Sequence, residues 1–313
     1  MDLNYLLFLQ KFREATGGIF NGLAIQISDL SYGIFIWLTA CIFFWAINKR
    51  NGSLLFLNVG LSRFLMQFLK LTFCVYRPYV RCDSLLPLEQ ASGYSFPSGH
   101  SVTAAANYGT LAKCYKKYRP IVIFLIFMIV ITIFSRNYIG VHTPQDVLAG
   151  TLLGTLVVLF SQRLWDWVDK DARRDYIILA AGILLSVFIL LYISLKSYPT
   201  DYADGVLIVN PAKMVLDGYK DAGRFFGLTL GWFLERRFVR FSLDVTAPQK
   251  VMRCCAGAFI LILFEKTLIP ALAGQIGTNW GYFIMMAIEL LVLTAVYLWL
   301  FQKYERSHGI EWE

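Results

Sequence analysis

Charge is scarce in this sequence of 313 residues: Asp, Glu, Lys and Arg make up 16%, against about 25% in soluble domains. Hydrophobic residues make up 57%, and the mean hydropathy is +0.56. That balance excludes a disordered chain, a secreted disulfide scaffold and a cytosolic enzyme. Histidine is rarer still, with three in the whole chain. The six cysteines (Cys41, Cys74, Cys82, Cys114, Cys254 and Cys255) lack metal-ligand spacing. Most fall in or beside apolar runs, where Cys behaves as a small hydrophobe. Cys74 and Cys82 flank a loop and could pair. No tandem repeat of fixed period is visible. Residues 1–16 lack the cationic start and long apolar core of a secretory signal. Their Tyr5, Leu6, Phe8, Leu9 and Phe12, set around Lys11, Arg13 and Glu14, read as an amphipathic helix at a membrane interface.

Long apolar runs are what the sequence does have. Pro120–Phe134, Ile177–Leu195 and Gly281–Phe301 carry almost no charge, and the last two are long enough to cross a bilayer core. Spanning helices are predicted at about 30–47, 53–73, 100–113, 120–135, 146–162, 176–195, 222–235, 253–272 and 281–301. The third and seventh are the shortest and least apolar. The chain is therefore an all-α polytopic membrane bundle. Its formal charge of +8 comes from short segments between apolar runs, which marks topology before it marks a nucleic-acid ligand. Seventeen Lys and Arg fall in the connections and tail on one side, and eight in those on the other. The richer side is expected to be cytoplasmic, with the C-terminus there. The N-terminus and the 74–99 loop then face the exterior, whether that is periplasm, cell surface or organelle lumen.

Two features of the later helices read first as structure. Gly223, Gly227 and Gly231 form a small-residue stripe that lets another helix approach closely, within the chain or across a dimer. Glu265 and Lys266 lie inside a predicted span, where ionisable groups are costly and generally paired. Neighbours on a helix do not face each other, so each is expected to find its partner elsewhere.

The chemistry-bearing residues cluster on the predicted exterior side. Lys70 ends a stripe Arg63–Gln67–Lys70 at helical spacing, which should face the bundle interior. Arg77-Pro78 follows. Phe96-Pro97-Ser98-Gly99-His100 enters a helix whose free N–H groups and dipole make an anion site. Ser135-Arg136 leads, five residues on, to His142 and then Thr143-Pro144-Gln145-Asp146. Three cations near two imidazoles suit phosphoryl transfer, with one imidazole as nucleophile and the other as general acid. Asp146 could orient His142 as a triad carboxylate does. It is also a good helix-start residue after Thr143 and Pro144. The third histidine, His308, sits in a polar tail and carries no such signal.

In these three clusters the sequence resembles the type 2 phosphatidic acid phosphatase superfamily, integral-membrane relatives of vanadium haloperoxidases. All motif positions of that family are present: Lys70, Arg77-Pro78, Pro97-Ser98-Gly99-His100, Ser135-Arg136, His142 and Asp146. The resemblance implies that His142 is a nucleophile forming a phosphohistidine, oriented by Asp146, and that His100 protonates the leaving oxygen. It implies that Lys70, Arg77, Ser98, Gly99 and Arg136 hold the phosphate, with no metal or other cofactor. It implies a six-helix phosphatase core over 30–195, preceded by the interfacial segment 1–29 and followed by a C-terminal extension over 196–313 with about three further spans. The implied substrate is a phosphorylated lipid or prenyl diphosphate, in a bacterial plasma membrane or an ER-type membrane. A sugar-phosphate phosphatase, or a transferase passing the phosphoryl group to a lipid acceptor, remains open at this point. So does the oligomeric state.

Overall fold

The computed structural model describes residues 2–203 and 205–307, so His308 lies outside the described residues. The described chain is helical almost throughout. Its helices are α1 (Asp2–Ala15), α2 (Asn21–Leu30), α3 (Ile34–Ile42), α4 (Lys49–Phe73), α5 (Gly99–Cys114), α6 (Arg119–Ile139), α7 (Pro144–Val168) and α8 (Arg174–Leu195). They continue with α9 (Pro211–Leu234), α10 (Ala247–Leu263), α11 (Ile269–Leu272), α12 (Thr278–Leu291) and α13 (Tyr297–Ser307). Among the described residues the only strands are a two-residue antiparallel pair, Tyr202–Ala203 with Val206–Leu207.

The helix ends follow local chemistry. Pro120 sits in the first turn of α6, where its missing N–H costs nothing, and the helix stops at Gly140, whose φ of 85° suits a residue without Cβ. A capping box starts α10, with Thr246 N–H donating to Gln249 Oε1 at 2.7 Å.

Helices occupy all nine predicted positions, but not all are spans by length and composition. Lys49–Val80, Arg119–Ile139, Pro144–Val168, Arg174–Leu195, Ala247–Leu272 and Asn279–Glu305 are long and apolar enough. Asn21–Leu30 with Ile34–Ile47, bent by 47°, would make a seventh. The third and seventh predicted spans fall short, for physical reasons visible in their residues. Helix α5 has 16 residues and buries Ser101, Thr103, Asn107 and Thr110, while α9 carries Lys213, Asp217, Lys220, Asp221 and Arg224. Six apolar helices of this length make the chain an integral membrane protein.

The chain divides into two compact units. Unit one comprises Met1–Ile36, Leu61–Phe160 and Ile193–Gly218. Glycines bring α7 onto α5 there: a Cβ at Gly150 would lie 2.6 Å from Ser98 O, and one at Gly154 2.5 Å from Val102 O. Helix α1 is also tied in. Buried Arg13 donates to Tyr138 O at 3.1 Å and Leu86 O at 2.5 Å, and Gln10 Oε1 accepts from Leu86 N–H at 2.8 Å.

Unit two comprises Trp37–Gly60, Ser161–Tyr192 and Tyr219–Glu313. The glycine stripe of α9 packs inside this chain: a Cβ at Gly223 or Gly227 would collide with the backbone of Phe283 or Ala287 on α12. Glu265 finds its partner on another helix, Arg224 at 2.6 Å, while Lys266 is exposed. Four π-helical turns, at Phe43–Ile47, Glu235–Val239, Phe264–Leu268 and Val292–Val296, all belong to this unit. All six cysteines are free thiols, so Cys74 and Cys82 do not pair.

Candidate active site

The predicted residues converge at one end of unit one, where α4 and α6 finish and α5 and α7 begin. Arg63, Gln67 and Lys70 are buried along α4, as the helical spacing required. Beyond α4 the chain turns at Cys74 (φ 50°) and runs extended through Arg77. Ser95 N–H donates to Val75 O at 2.7 Å, which holds the 74–99 loop against this stretch. Ser98 caps α5. The left-handed turn at Gly140 redirects the chain from α6 into Val141-His142, and Asn137 Nδ2 donates to His142 O at 2.9 Å to fix the bend.

These ends enclose a cavity of about 340 Å³, and all its lining residues belong to unit one. Lys70, Arg77, Gly99, His100, Arg136 and His142 line it. Ser98 and Asp146 lie behind the lining. The Ser98 hydroxyl is fully buried and accepts from Ser101 N–H and Oγ–H at 3.5 and 3.1 Å. Its role in the wall is to start the helix whose next residue, Gly99, faces the cavity.

The three cations are held by neutral groups. Lys70 Nζ donates to Tyr94 O (2.5 Å) and Ser95 O (3.4 Å). Arg77 donates to the carbonyls of Gly93, Val141 and Ser92 at 3.0–3.1 Å. Arg136 donates to Ser28 Oγ, and its Nε is buried with no partner. Among the described residues none of these three forms an ion pair with a carboxylate. Burying charge without a counter-charge is costly, so the arrangement suits an incoming anion.

Arg77 also donates to His142 Nε2 at 2.9 Å. A guanidinium can only donate, so Nε2 accepts and the neutral ring carries its proton on Nδ1. That side faces Ser95 Oγ at 3.3 Å and Asp146 Oδ2 at 3.6 Å. Ser95 Oγ–H in turn donates to Asp146 Oδ2 at 2.6 Å. The same Asp146 oxygen accepts from Thr143 N–H at 2.8 Å, and Asp146 N–H donates to Thr143 Oγ1 at 3.3 Å. One Asp146 oxygen thus serves the helix start and, by way of Ser95 Oγ, reaches the Nδ1 side of His142. Burial first, and then Arg77, Arg136 and Lys70, hold the His142 imidazole well below its usual range, so it is neutral at pH 7. The other imidazole, His100, stacks on Tyr32 with centroids 4.4 Å apart, and Arg63 lies over Tyr32 at 4.7 Å.

Comparison with known proteins bears on the family. A model of the PAP2 superfamily matches residues 51–170, and one described as a PAP2 superfamily phosphatase transmembrane extension matches 219–308. An undecaprenyl-diphosphatase from Sulfolobus acidocaldarius is 30% identical over 148 residues, 46% of this chain and 70% of its own length. The chain belongs to the PAP2 superfamily. Human sphingosine-1-phosphate phosphatase 2 is 31% identical over 224 residues, covering 65% of this chain but 52% of that protein. A solved transmembrane PAP2-type phosphatidylglycerolphosphate phosphatase from Bacillus subtilis is 28% identical, with a TM-score of 0.45, over 53% of this chain and 85% of that one.

Within this PAP2 chain the sequence reading missed several residues at the site. Ser95 sits one residue before the Phe96-Pro97 entry, and nothing in its spacing marks it. Tyr32 comes from a turn far upstream. Met214 and Asp217 reach the cavity from α9, outside both matched regions. The Gly150 and Gly154 pair was legible as a small-residue stripe on α7, like the one on α9.

Proposed function

We propose that this chain is a membrane phosphatase that hydrolyses a lipid-linked phosphate monoester or diphosphate through a phosphohistidine on His142. The observation that carries the reading is the cavity itself: three cations without carboxylate partners surround two imidazoles, one of them with its Nε2 lone pair turned to Arg77. Phosphoryl transfer spreads negative charge over the equatorial oxygens, and the site must answer it with positive charge. Lys70, Arg77, Arg136 and the Gly99 amide do so. As the phosphate arrives, Arg77 moves its N–H from His142 to a phosphate oxygen, which frees Nε2.

Nε2 then attacks phosphorus, the bond to the leaving oxygen breaks, and His100 gives that oxygen its proton. In the second step water attacks the phosphohistidine, His100 takes the proton back, and inorganic phosphate leaves with His142 restored. Asp146, through Ser95, holds the Nδ1 proton and stabilises the positive ring of the intermediate. The lipid-linked substrate is supported by the curated relatives, named for a prenyl diphosphate and for sphingosine 1-phosphate, and by a site built among apolar helices.

The test is phosphate release by purified protein in nanodiscs from lipid monophosphates, prenyl diphosphates and sugar phosphates, with and without a chelator. Release from the lipid substrates in chelator, and inhibition by vanadate, is the expected result. Loss on chelation with recovery in Mg²⁺ would contradict the mechanism. We place the site on the exterior face, from the seventeen-to-eight bias of basic residues. A membrane-impermeant thiol reagent should then label Cys82 and leave Cys114 unlabelled in intact cells. The reverse pattern would invert the topology.

A further inference from the structure

The two imidazoles of the cavity are held in different ways. His142 is fixed by hydrogen-bonding groups on both sides of its ring, Arg77 at Nε2 and Ser95 at Nδ1. Among the described residues no hydrogen bond reaches a ring nitrogen of His100. Its ring lies instead on the ring of Tyr32, with centroids 4.4 Å apart and planes 24° from parallel.

Tyr32 itself is firmly placed, in the turn between α2 and α3 and within unit one. The carbonyl of Ser31, just before it, accepts from Thr103 Oγ1 at 2.5 Å. Thr103 stands on α5, one turn after His100, so the turn that carries Tyr32 is tied to the helix that carries His100. Ser31 Oγ also lies 2.7 Å from Thr132 Oγ1 on α6. From α4, the Arg63 guanidinium covers the Tyr32 ring at 4.7 Å. A Cβ at Gly99 would lie 3.3 Å from Tyr32 Cε2. The lack of a side chain just before His100 thus lets the tyrosine ring lie close against the start of α5.

A general acid works only within hydrogen-bond reach of the oxygen it protonates. An imidazole with no hydrogen bond on either nitrogen can leave that position by turning about its two side-chain torsions. A ring packed against its face restrains those turns. Unlike a hydrogen bond, the stack occupies neither nitrogen. That suits a group that gives up a proton in one step and takes it back in the next.

We propose that Tyr32 is a positioning residue for the general acid, its ring holding the His100 imidazole toward the leaving oxygen. This rests on the phosphatase reading above, in which His100 protonates that oxygen.

The experiment compares a saturated long-chain alkyl monophosphate with the matching alkyl diphosphate. The alkoxide that leaves the first needs a proton; the phosphate ester that leaves the second needs far less help. Initial-rate kcat/KM counts the steps through departure of the leaving group, which separates protonation from the later hydrolysis. Tyr32→Leu fills the space without a ring face. It should lower kcat/KM for the monophosphate by about tenfold or more, and for the diphosphate by less than about threefold, within the ~10²–10⁴-fold that general-acid help supplies. The diphosphate rate also reports the folded fraction. Tyr32→Phe keeps the ring and should restore most of the monophosphate rate. Adding Tyr32→Leu to His100→Ala should cost the monophosphate nothing further, because Tyr32 acts through His100. No loss in Tyr32→Leu, equal losses on the two substrates, a Tyr32→Phe variant as slow as Tyr32→Leu, or additive losses in the double variant would overturn the inference and leave the phosphatase reading intact. No phosphate from either substrate with the unaltered protein would overturn both.

Discussion

The two units bury their charges in opposite ways. In unit two Arg224, Arg253, Arg236 and Lys49 lie against carboxylates. Arg253 makes a two-pronged contact with Glu305 at 3.2 and 2.7 Å, with both side chains sealed from solvent. Arg224 is ringed by Glu265, Glu289 and Asp221 at 2.6, 3.5 and 3.7 Å. Arg236 meets Asp169 and Asp175, and Lys49 meets Glu235. In unit one Lys70, Arg77 and Arg136 meet carbonyls, a hydroxyl and an imidazole around a cavity. Both arrangements bring ionisable groups among apolar helices, where they are expensive. Matched charge reads as structure, even where Lys49, Glu235, Arg236 and Asp169 line a cavity of about 280 Å³, and surplus positive charge facing a cavity reads as a site. Counting intramembrane charges would not separate the two.

That contrast predicts two kinds of variant. In unit one, losing a site residue should remove turnover and leave the fold. His142→Ala should lower kcat by about 10⁵-fold or more, the scale on which loss of a covalent nucleophile acts, with unchanged folded yield in size-exclusion chromatography. In unit two, breaking a pair should do the reverse. Glu305→Ala leaves Arg253 buried without its counter-charge, at about 3–5 kcal/mol. It should show as a much lower thermal midpoint with near-normal turnover per folded molecule. Similar loss of turnover from both variants would erase the distinction.

Smaller effects sharpen it within unit one. Asp146→Asn keeps a side-chain oxygen to accept from Thr143 N–H at the third helical position, but loses the charge proposed to stabilise the His142 imidazolium. Turnover should fall by about 10²–10⁴-fold with the thermal midpoint little changed. A large drop in midpoint with intact activity would make Asp146 a capping residue alone. Ser95→Ala removes the bridge between Asp146 and His142 and should cost about tenfold in kcat, roughly one hydrogen bond to a charged group. Least dramatic is the pH profile. With the His142 pKa held low, its neutral form persists as the solution is acidified. The acid limb of kcat/KM should therefore lie below ~6.5, the ordinary imidazole value, and a limb at or above it would contradict the electrostatics of the free site.

Much of this was legible in the sequence where chemistry is tied to local spacing. Lys70, Arg77, His100, Arg136 and His142 sit in three short motifs at helix ends, and the structure brings all five to one cavity. Ser98 and Asp146 were legible as residues but not in depth, because spacing does not say which side chain lines a wall and which stands behind it. Ser95, Tyr32 and Asp217 were not legible at all. Their place depends on how a loop folds back on Val75, how the α2–α3 bend aims a ring, and how α9 docks on Gln67. Helix α5 shows the same limit from another side. Its small and polar residues weaken its apolar signal because protein surrounds them, as Gly150 and Gly154 of α7 make plain.

The central claim is that the surplus cations of unit one serve a phosphoryl group passing through His142. Rapid acid-free quenching during turnover of a labelled lipid phosphate, followed by peptide mapping, tests it most directly. The account predicts an acid-labile, base-stable phosphoryl group on His142 that is absent from His142→Ala. Phosphate release at full rate with the label on another residue, or on none, would contradict it.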